Sequence, residues 1–321
     1  MYYGAAQQYS GTLDVALAPT LITGATDDQL GREAVFLEDL DGDGRAELGL
    51  PAKQAGAADG SLGIYNGAAD QLASESSPNL EFTQAGTAEG LAFASDTGDF
   101  NGDGRLDLAL GALGFNSNQG RVYIYYGTEA GFGSADLNPG TGANVILDGE
   151  ASSTFGSELV ADDFNNDGRD DLLVLALNTN RAYIYYGDAG GLSGGDAVGV
   201  ADAILDAENA GDFNSASLAV GDFNDDGFGD LILGAPRYPG GGGNGRVYVL
   251  YGASDGLGTG TSGVATQADA IYDAAGAGDE LGDVSAGDFN GDGYDDLVSG
   301  GEQGASTIQG LVYIMYGSAG G

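Results

Sequence analysis

One nine-residue pattern occurs five times in this chain and restricts its fold more than any other feature. The copies span residues 39–47, 99–107, 163–171, 222–230 and 288–296, and their starts lie 60, 64, 59 and 66 residues apart. A unit that recurs at such a period cannot bury both of its apolar faces alone, so the repeats must stack on one another. Each copy has the same surroundings. An alternating segment leads in (157–162, 217–222), and an apolar run leads out (172–177, 231–236). A variable loop follows, then a tyrosine-rich run (121–127, 181–187, 246–252, 311–317) and a fourth short run such as 144–148 or 202–206. Runs of β-branched and aromatic residues bounded by Gly and Asp predict strands. No stretch combines helix caps with a 3.6-residue apolar period.

Four strands per repeat predict an all-β chain, a β-propeller of five four-stranded blades forming one domain over residues 1–321. The last repeat stops after its third strand, and an orphan fourth strand near residues 21–23 precedes the first. That N-terminal strand is expected to complete the C-terminal blade and close the ring. Tyr2-Tyr3-Gly4 is surplus to this count and reads as the tail of another third strand.

The nine-residue loops carry the chemistry. Positions 1, 3, 5 and 9 bear side-chain oxygens: Asp39, Asp41, Asp43 and Glu47; Asp99, Asn101, Asp103 and Asp107; Asp163, Asn165, Asp167 and Asp171; Asp222, Asn224, Asp226 and Asp230; Asp288, Asn290, Asp292 and Asp296. In a tightly curled loop, alternate residues point inward, so these oxygens converge. Position 7 (Arg45, Arg105, Arg169, Phe228, Tyr294) can add its backbone carbonyl, and Gly at position 6 permits the turn. Hard oxygen donors without nitrogen or sulfur suit Ca²⁺, which accepts six to eight ligands, so about five ions are expected. The loop starts like an EF-hand, but position 12 is Leu50, Leu110, Val174, Leu233 or Ser299 rather than Glu, and strands flank it. Acidic Asp-Gly surface turns are the competing reading. Five copies that keep all four ligand positions weigh against it.

Composition narrows the function. With 49 acidic and nine basic residues the net charge is −40, a surface that repels nucleic acid and anionic membranes. The chain has no Cys and no His, which removes thiolate chemistry, disulfides and the commonest general base. No apolar run approaches the ~20 residues needed to cross a bilayer as a helix. Residues 1–4 lack a signal-peptide pattern, so a secreted form is expected to be a mature form or an excised piece.

The pattern Asp-Phe-Asn-Gly-Asp-Gly, with Gly234-Ala235-Pro236 and a following Gly-Arg-Val-Tyr, resembles the FG-GAP repeat of integrin α-subunit propellers and their bacterial relatives. Phe-Gly itself survives as Phe155-Gly156, with softer versions at Leu30-Gly31 and Leu281-Gly282, and the integrin ring has seven blades where this chain accounts for five. The resemblance implies a non-catalytic, calcium-binding module outside the cell or on its surface, serving adhesion or the binding of a protein or glycan ligand. A structural subunit assembling head-to-tail into fibres or a layer is the alternative. A glycosidase or polysaccharide lyase is a third reading, opposed by the lack of His, Cys and Trp.

Three further groups are expected to be structural. Tyr123, Tyr183, Tyr248 and Tyr313 should pack between blades rather than form a sugar platform. Arg121, Arg181 and Arg246 should pair with nearby carboxylates. Glu38, Asp162, Asp225 and Asp295, beside the loops, should be solvated.

Overall fold

The computed structural model describes residue 22 and residues 34–52, 60–67, 78–83, 90–129, 131–132, 139–241, 243–276, 278–301 and 310–319. These residues form five separate β-sheets in chain order. Sheet 1 consists of Val35–Leu37, Glu47–Ala52, Ser61–Tyr65 and Leu80–Thr83. Sheet 2 is Leu91–Gly98, Asp107–Ala112, Arg121–Tyr125 and Val145–Asp148, and sheet 3 is Phe155–Asp162, Asp171–Ala176, Arg181–Tyr185 and Ala203–Asp206. Sheet 4 is Ser217–Gly221, Asp230–Ala235, Arg246–Leu250 and Ala270–Asp273, and sheet 5 is Asp283–Gly287, Asp296–Gly301 and Leu311–Met315. Consecutive strands of each sheet pair antiparallel, as alternating runs joined by tight Asp-Gly loops require.

Sheets 2, 3 and 4 are each covered on both faces by their neighbours, which explains why their second strands are apolar after the opening Asp. In Asp171–Ala176, Leu172 and Val174 pack towards sheet 2 with Val122, Ile124 and Leu147. Leu173 and Leu175 point the other way, into a cluster with Leu231, Leu233 and Leu250 of sheet 4. The same period-2 division recurs at the boundaries between sheets 1 and 2 and between sheets 4 and 5. Tyr123, Tyr183 and Tyr248 are fully buried in these boundaries, as expected, and Tyr313 is partly buried against the cluster between sheets 4 and 5. Phe155 meets Tyr183 edge-on with ring centroids 5.2 Å apart.

The first strands of all five sheets converge. Val35, Phe93, Ser95, Glu158, Ser217 and Asp283 contribute to the wall of one cavity of about 420 Å³. A first strand has a free edge there, and side chains of the preceding sheet satisfy part of it. Asp96 Oδ2 accepts the Ala161 amide at 2.8 Å, Glu158 Oε1 that of Leu218 at 3.2 Å, and Ser217 Oγ that of Val284 at 2.8 Å. The arrangement is consistent with a propeller-like fold.

Two features depart from the four-strand reading. Gly195–Asp196 pairs in parallel with Val145–Asp148, and Gly260–Gly263 with Ala203–Asp206, so a segment of one repeat laps onto the sheet before it. Single-turn helices, Ala197–Val200 and Val264–Gln267, follow these segments and bury Ala197 and Val264. At the end of the series, no described residue covers the outward face of sheet 5. Phe289, Val312 and Ile314 are 58%, 69% and 48% exposed, whereas Phe164, Val122 and Ile124 are fully buried. The expected strand at 21–23, Ile22 excepted, and the segment 2–4 lie outside the described residues. Ile22 packs on Leu48, Leu50 and Tyr65 of sheet 1.

Candidate metal centre

Each loop joins the first strand of its sheet to the second, and its shape follows from backbone amides capped by its own side chains. In loop 2, Asp99 Oδ1 accepts the Asp103 amide at 3.0 Å and Asp99 Oδ2 that of Gly104 at 2.7 Å. Asn101 Oδ1 accepts the same Asp103 amide at 2.9 Å, and Asp103 Oδ1 accepts Arg105 N–H at 3.0 Å. The network from positions 1 and 3 to positions 5 and 6 recurs at 163–171, 222–230 and 288–296, and at 39–47 with Asp41 in place of Asn. Gly at position 6 has φ of 81–95° (Gly44, Gly104, Gly168, Gly227, Gly293), the left-handed region that an L side chain resists.

This curl turns positions 1, 3 and 5 onto one point. In loop 1, one carboxylate oxygen each of Asp39, Asp41 and Asp43 lie within 4.8 Å of one another. All three are at least partly exposed, so a cation from solvent can reach them. Every side-chain donor at positions 1, 3 and 5 is oxygen, and a carboxylate oxygen that accepts one amide keeps a second lone pair for a cation. In loops 1 to 3, the position 7 arginines turn back to the position 5 carboxylate (Arg45–Asp43 2.8 Å, Arg105–Asp103 3.6 Å, Arg169–Asp167 3.1 Å). Phe228 and Tyr294 take that position in loops 4 and 5, so a side chain at position 7 is not a required ligand.

Position 9 has a second task that its spacing did not reveal. Glu47, Asp107, Asp171, Asp230 and Asp296 are all buried. Each accepts the amide of position 2 with one oxygen and, with the other, the amide of the Gly after the third strand. For Asp171 these are Phe164 at 3.1 Å and Gly187 at 2.8 Å, and for Asp230 they are Phe223 and Gly252, both at 2.9 Å. Position 9 thus braces the loop against the third strand of its own sheet. Burial pushes the carboxyls of Glu47, Asp107, Asp171 and Asp230 up, Asp107 and Asp230 to about 7 and Asp171 to about 8, against the lowering effect of the two amides. The carboxylates at positions 1 and 5 add to the rise, a repulsion that a bound cation would cancel.

The recurrent arginines pair with carboxylates, as expected. Arg121 Nε donates to Asp148 at 2.6 Å, and Arg181 to Asp206 and Glu150, both at 2.8 Å. Arg246 donates to Asp273 and Glu208, both at 2.6 Å. The expectation for the acids beside the loops is corrected. Asp162 and Asp295 are not simply solvated: Asp162 Oδ1 accepts the Asp163 amide at 2.8 Å, and Asp295 Oδ2 accepts the Asp222 amide of the preceding loop at 3.0 Å.

The FG-GAP repeat model matches residues 92–125, 214–250 and 282–315, segments that contain loops 2, 4 and 5. The chain therefore carries FG-GAP repeats. Loops 1 and 3 lie outside those segments but share their hydrogen-bond network. Phosphatidylinositol-glycan-specific phospholipase D of Bos taurus is 32% identical over 193 residues, covering 56% of this chain and 22% of that protein. Integrin alpha pat-2 of Caenorhabditis briggsae is 26% identical over 201 residues, covering 56% and 15%. Integrin alpha-8 of Homo sapiens is 29% identical over 181 residues, covering 53% and 16%. The chain spans about a fifth or less of the length of these relatives.

Proposed function

We propose that the five loops hold calcium, about one ion each, and that the chain is a non-catalytic extracellular or cell-surface module that binds a protein or glycan ligand. The observation that carries the reading is the fivefold recurrence of one oxygen-only donor set in one backbone conformation. Bound calcium would neutralise carboxylates that otherwise repel one another and so would add to folding stability. Positions 1, 3, 5 and 9 would ligate through side chains and position 7 through its carbonyl, with position 9 also holding the loop to its sheet. Likeness to integrin alpha chains supports a protein partner. The relative that is an enzyme by name matches over 22% of its own length. Lack of His and Cys weighs against catalysis here.

A calcium titration of the melting temperature after exhaustive chelation, with magnesium as control, tests this. Sites with Kd of order 10⁻⁴ M, in 1 mM calcium, each contribute roughly 1.4 kcal/mol, or about 7 kcal/mol for five. At about 2.1 cal/mol/K per residue over 321 residues, that raises Tm by about 10 °C. A melt indifferent to calcium refutes the reading.

The outward face of sheet 5, which no described residue covers, favours a second element of the proposal, a ring closed by the N-terminal strand. Ile22 meets Leu48, Leu50 and Tyr65 as Leu147 meets Leu172, Val174 and Tyr185 two boundaries further on. Leu147 pairs with Val122 in its own sheet, and Val312 is the counterpart of Val122. In a chain without Cys, Ile22→Cys with Val312→Cys should therefore cross-link within one molecule on oxidation. A cross-link between molecules would favour the head-to-tail assembly instead, and none at all would refute closure by this strand.

A further inference from the structure

Neighbouring loops are joined by contacts that follow one rule. The amide of Asp99, position 1 of loop 2, donates to Asp170 Oδ2 of loop 3 at 2.6 Å, and the Asp170 amide donates back to Asp99 O at 3.2 Å. The same clasp joins loop 4 to loop 5: Asp222 N–H to Asp295 Oδ2 at 3.0 Å, and Asp295 N–H to Asp222 O at 3.1 Å. Between loops 3 and 4 the backbone half survives, with Gly229 N–H on Asp163 O at 3.0 Å, but position 8 is Gly229 and lacks a carboxylate. Asp162, the residue before the loop, caps Asp163 instead. The two places exclude each other sterically. A Cβ on Gly229 would lie 2.6 Å from Asp162 Cγ, one on Gly98 2.8 Å from Asp170 Cβ, and one on Gly221 2.8 Å from Asp295 Oδ2. Each of these three junctions thus holds one carboxylate, supplied from either side and opposed by Gly.

The side that supplies it decides what is connected. Asp170 stands between position 7 and the buried brace Asp171 of its own loop, yet it grips both backbone groups of a ligand residue in loop 2. Arg169 adds to the grip by lying against loop 2, where a Cβ on Gly102 would come 2.9 Å from its Nε. Asp162, by contrast, belongs to the strand that carries its own loop, so it conveys nothing from loop 4.

We propose that Asp170 and Asp295 are positioning residues that couple calcium binding between loops 2 and 3 and between loops 4 and 5, leaving loops 3 and 4 only weakly coupled. This rests on the calcium reading above. An ion that fixes residues 167–171 holds Asp170 in the place that orders Asp99 as a ligand, so loop 3 filled makes loop 2 easier to fill.

Hydrogen exchange of the full chain across a calcium titration tests the coupling. The readout is the calcium midpoint for protection of the Asp103 and Gly104 amides of loop 2. Disabling loop 3 with Asp167→Ala should move that midpoint about tenfold higher, within the usual range of coupling between sites. In a background of Asp170→Ala the same change should move it less than twofold. The exchange Gly98→Asp with Asp170→Gly copies the junction between loops 3 and 4 and keeps the carboxylate. It should also abolish the coupling, and it carries the test if Asp170→Ala fails to fold. Asp226→Ala in loop 4 should move the loop 3 midpoint less than twofold. A loop 2 midpoint indifferent to Asp167→Ala, or a shift that persists in the Asp170 backgrounds, overturns the coupling. Absence of calcium-dependent protection in the parent chain overturns the calcium reading itself.

Discussion

Removing one phenolic hydroxyl from the boundary between sheets 2 and 3 gives a sharp measure of what the tyrosines do. Tyr183 is buried, and its hydroxyl donates to Glu150 Oε2 at 2.7 Å, an oxygen that also accepts Arg181 Nη1 at 2.8 Å. Tyr183→Phe deletes that hydrogen bond while Glu150 keeps its arginine, so no charge is left unpaired. A hydrogen bond to a charged acceptor contributes about 1.5–3 kcal/mol, and Glu150 is partly solvated, so the expected loss is near the lower end, about 2 kcal/mol. Spread over 321 residues, this lowers Tm by about 3 °C. The molecule supplies its own replicate. Tyr248 donates to Glu208 Oε1 at 2.8 Å, and Arg246 donates to the same oxygen at 2.6 Å. Tyr248→Phe should therefore match Tyr183→Phe, and the double variant should lose the sum of the two, since the networks share no residue. The assay is thermal denaturation by circular dichroism at fixed calcium. A loss under 0.5 °C in both single variants, or a gain, would refute the view that these hydroxyls serve the core.

Other perturbations test separate parts of the argument. Burial pushes the Asp96 carboxyl up to about 6, so its charged form is disfavoured in the folded chain. Its cost is absent below the unfolded pKa, grows as pH rises from about 4 to about 6, and stays constant above, at roughly 3 kcal/mol. Asp96→Asn should remove that slope, and melts at pH 4.5 and 7.5 that change in parallel for variant and parent would contradict it. Gly234→Ala should cost more than 2 kcal/mol by denaturant titration, because its Cβ would run into the Gly282 carbonyl and wedge sheet 4 from sheet 5. Arg105→Phe, which copies position 7 of loop 4, should leave the calcium stoichiometry by calorimetry unchanged. Loss of one ion would mean that the arginine side chain, not its carbonyl, matters.

Much of this molecule is legible in the residue pattern because the pattern is local. Strand positions such as 171–176 and 246–250 follow from alternation and from the Asp-Gly turns, and the gathering of side-chain oxygens at positions 1, 3 and 5 follows from spacing alone. What stayed hidden depends on partners far apart in the chain. The lapping strands at 195–196 and 260–263 are short runs of Gly, Asp, Ser and Thr with no strand signal of their own, and the outer strand of another repeat shapes them. The double duty of position 9 had one visible sign: Asp107, Asp171 and Asp230 open strands that are buried at every residue, where a carboxylate needs donors. The junction acids had a sign too, in the alternation of Gly98, Asp162 and Gly221 against Asp170, Gly229 and Asp295, but its meaning requires knowing that these residues face each other.

That alternation makes the order of the repeats matter. If the third and fourth repeats traded places, Gly98 would face Gly229, and the amide of position 1 in loop 2 would lose its acceptor. At the far end of the exchange, Asp162 would confront Asp295, two carboxylates competing for one amide in a space sized for one. Recombination between these repeats, similar as they are, would therefore yield chains whose blades each fold correctly yet do not fit together, so the alternation works as a record of sequence order that resists shuffling.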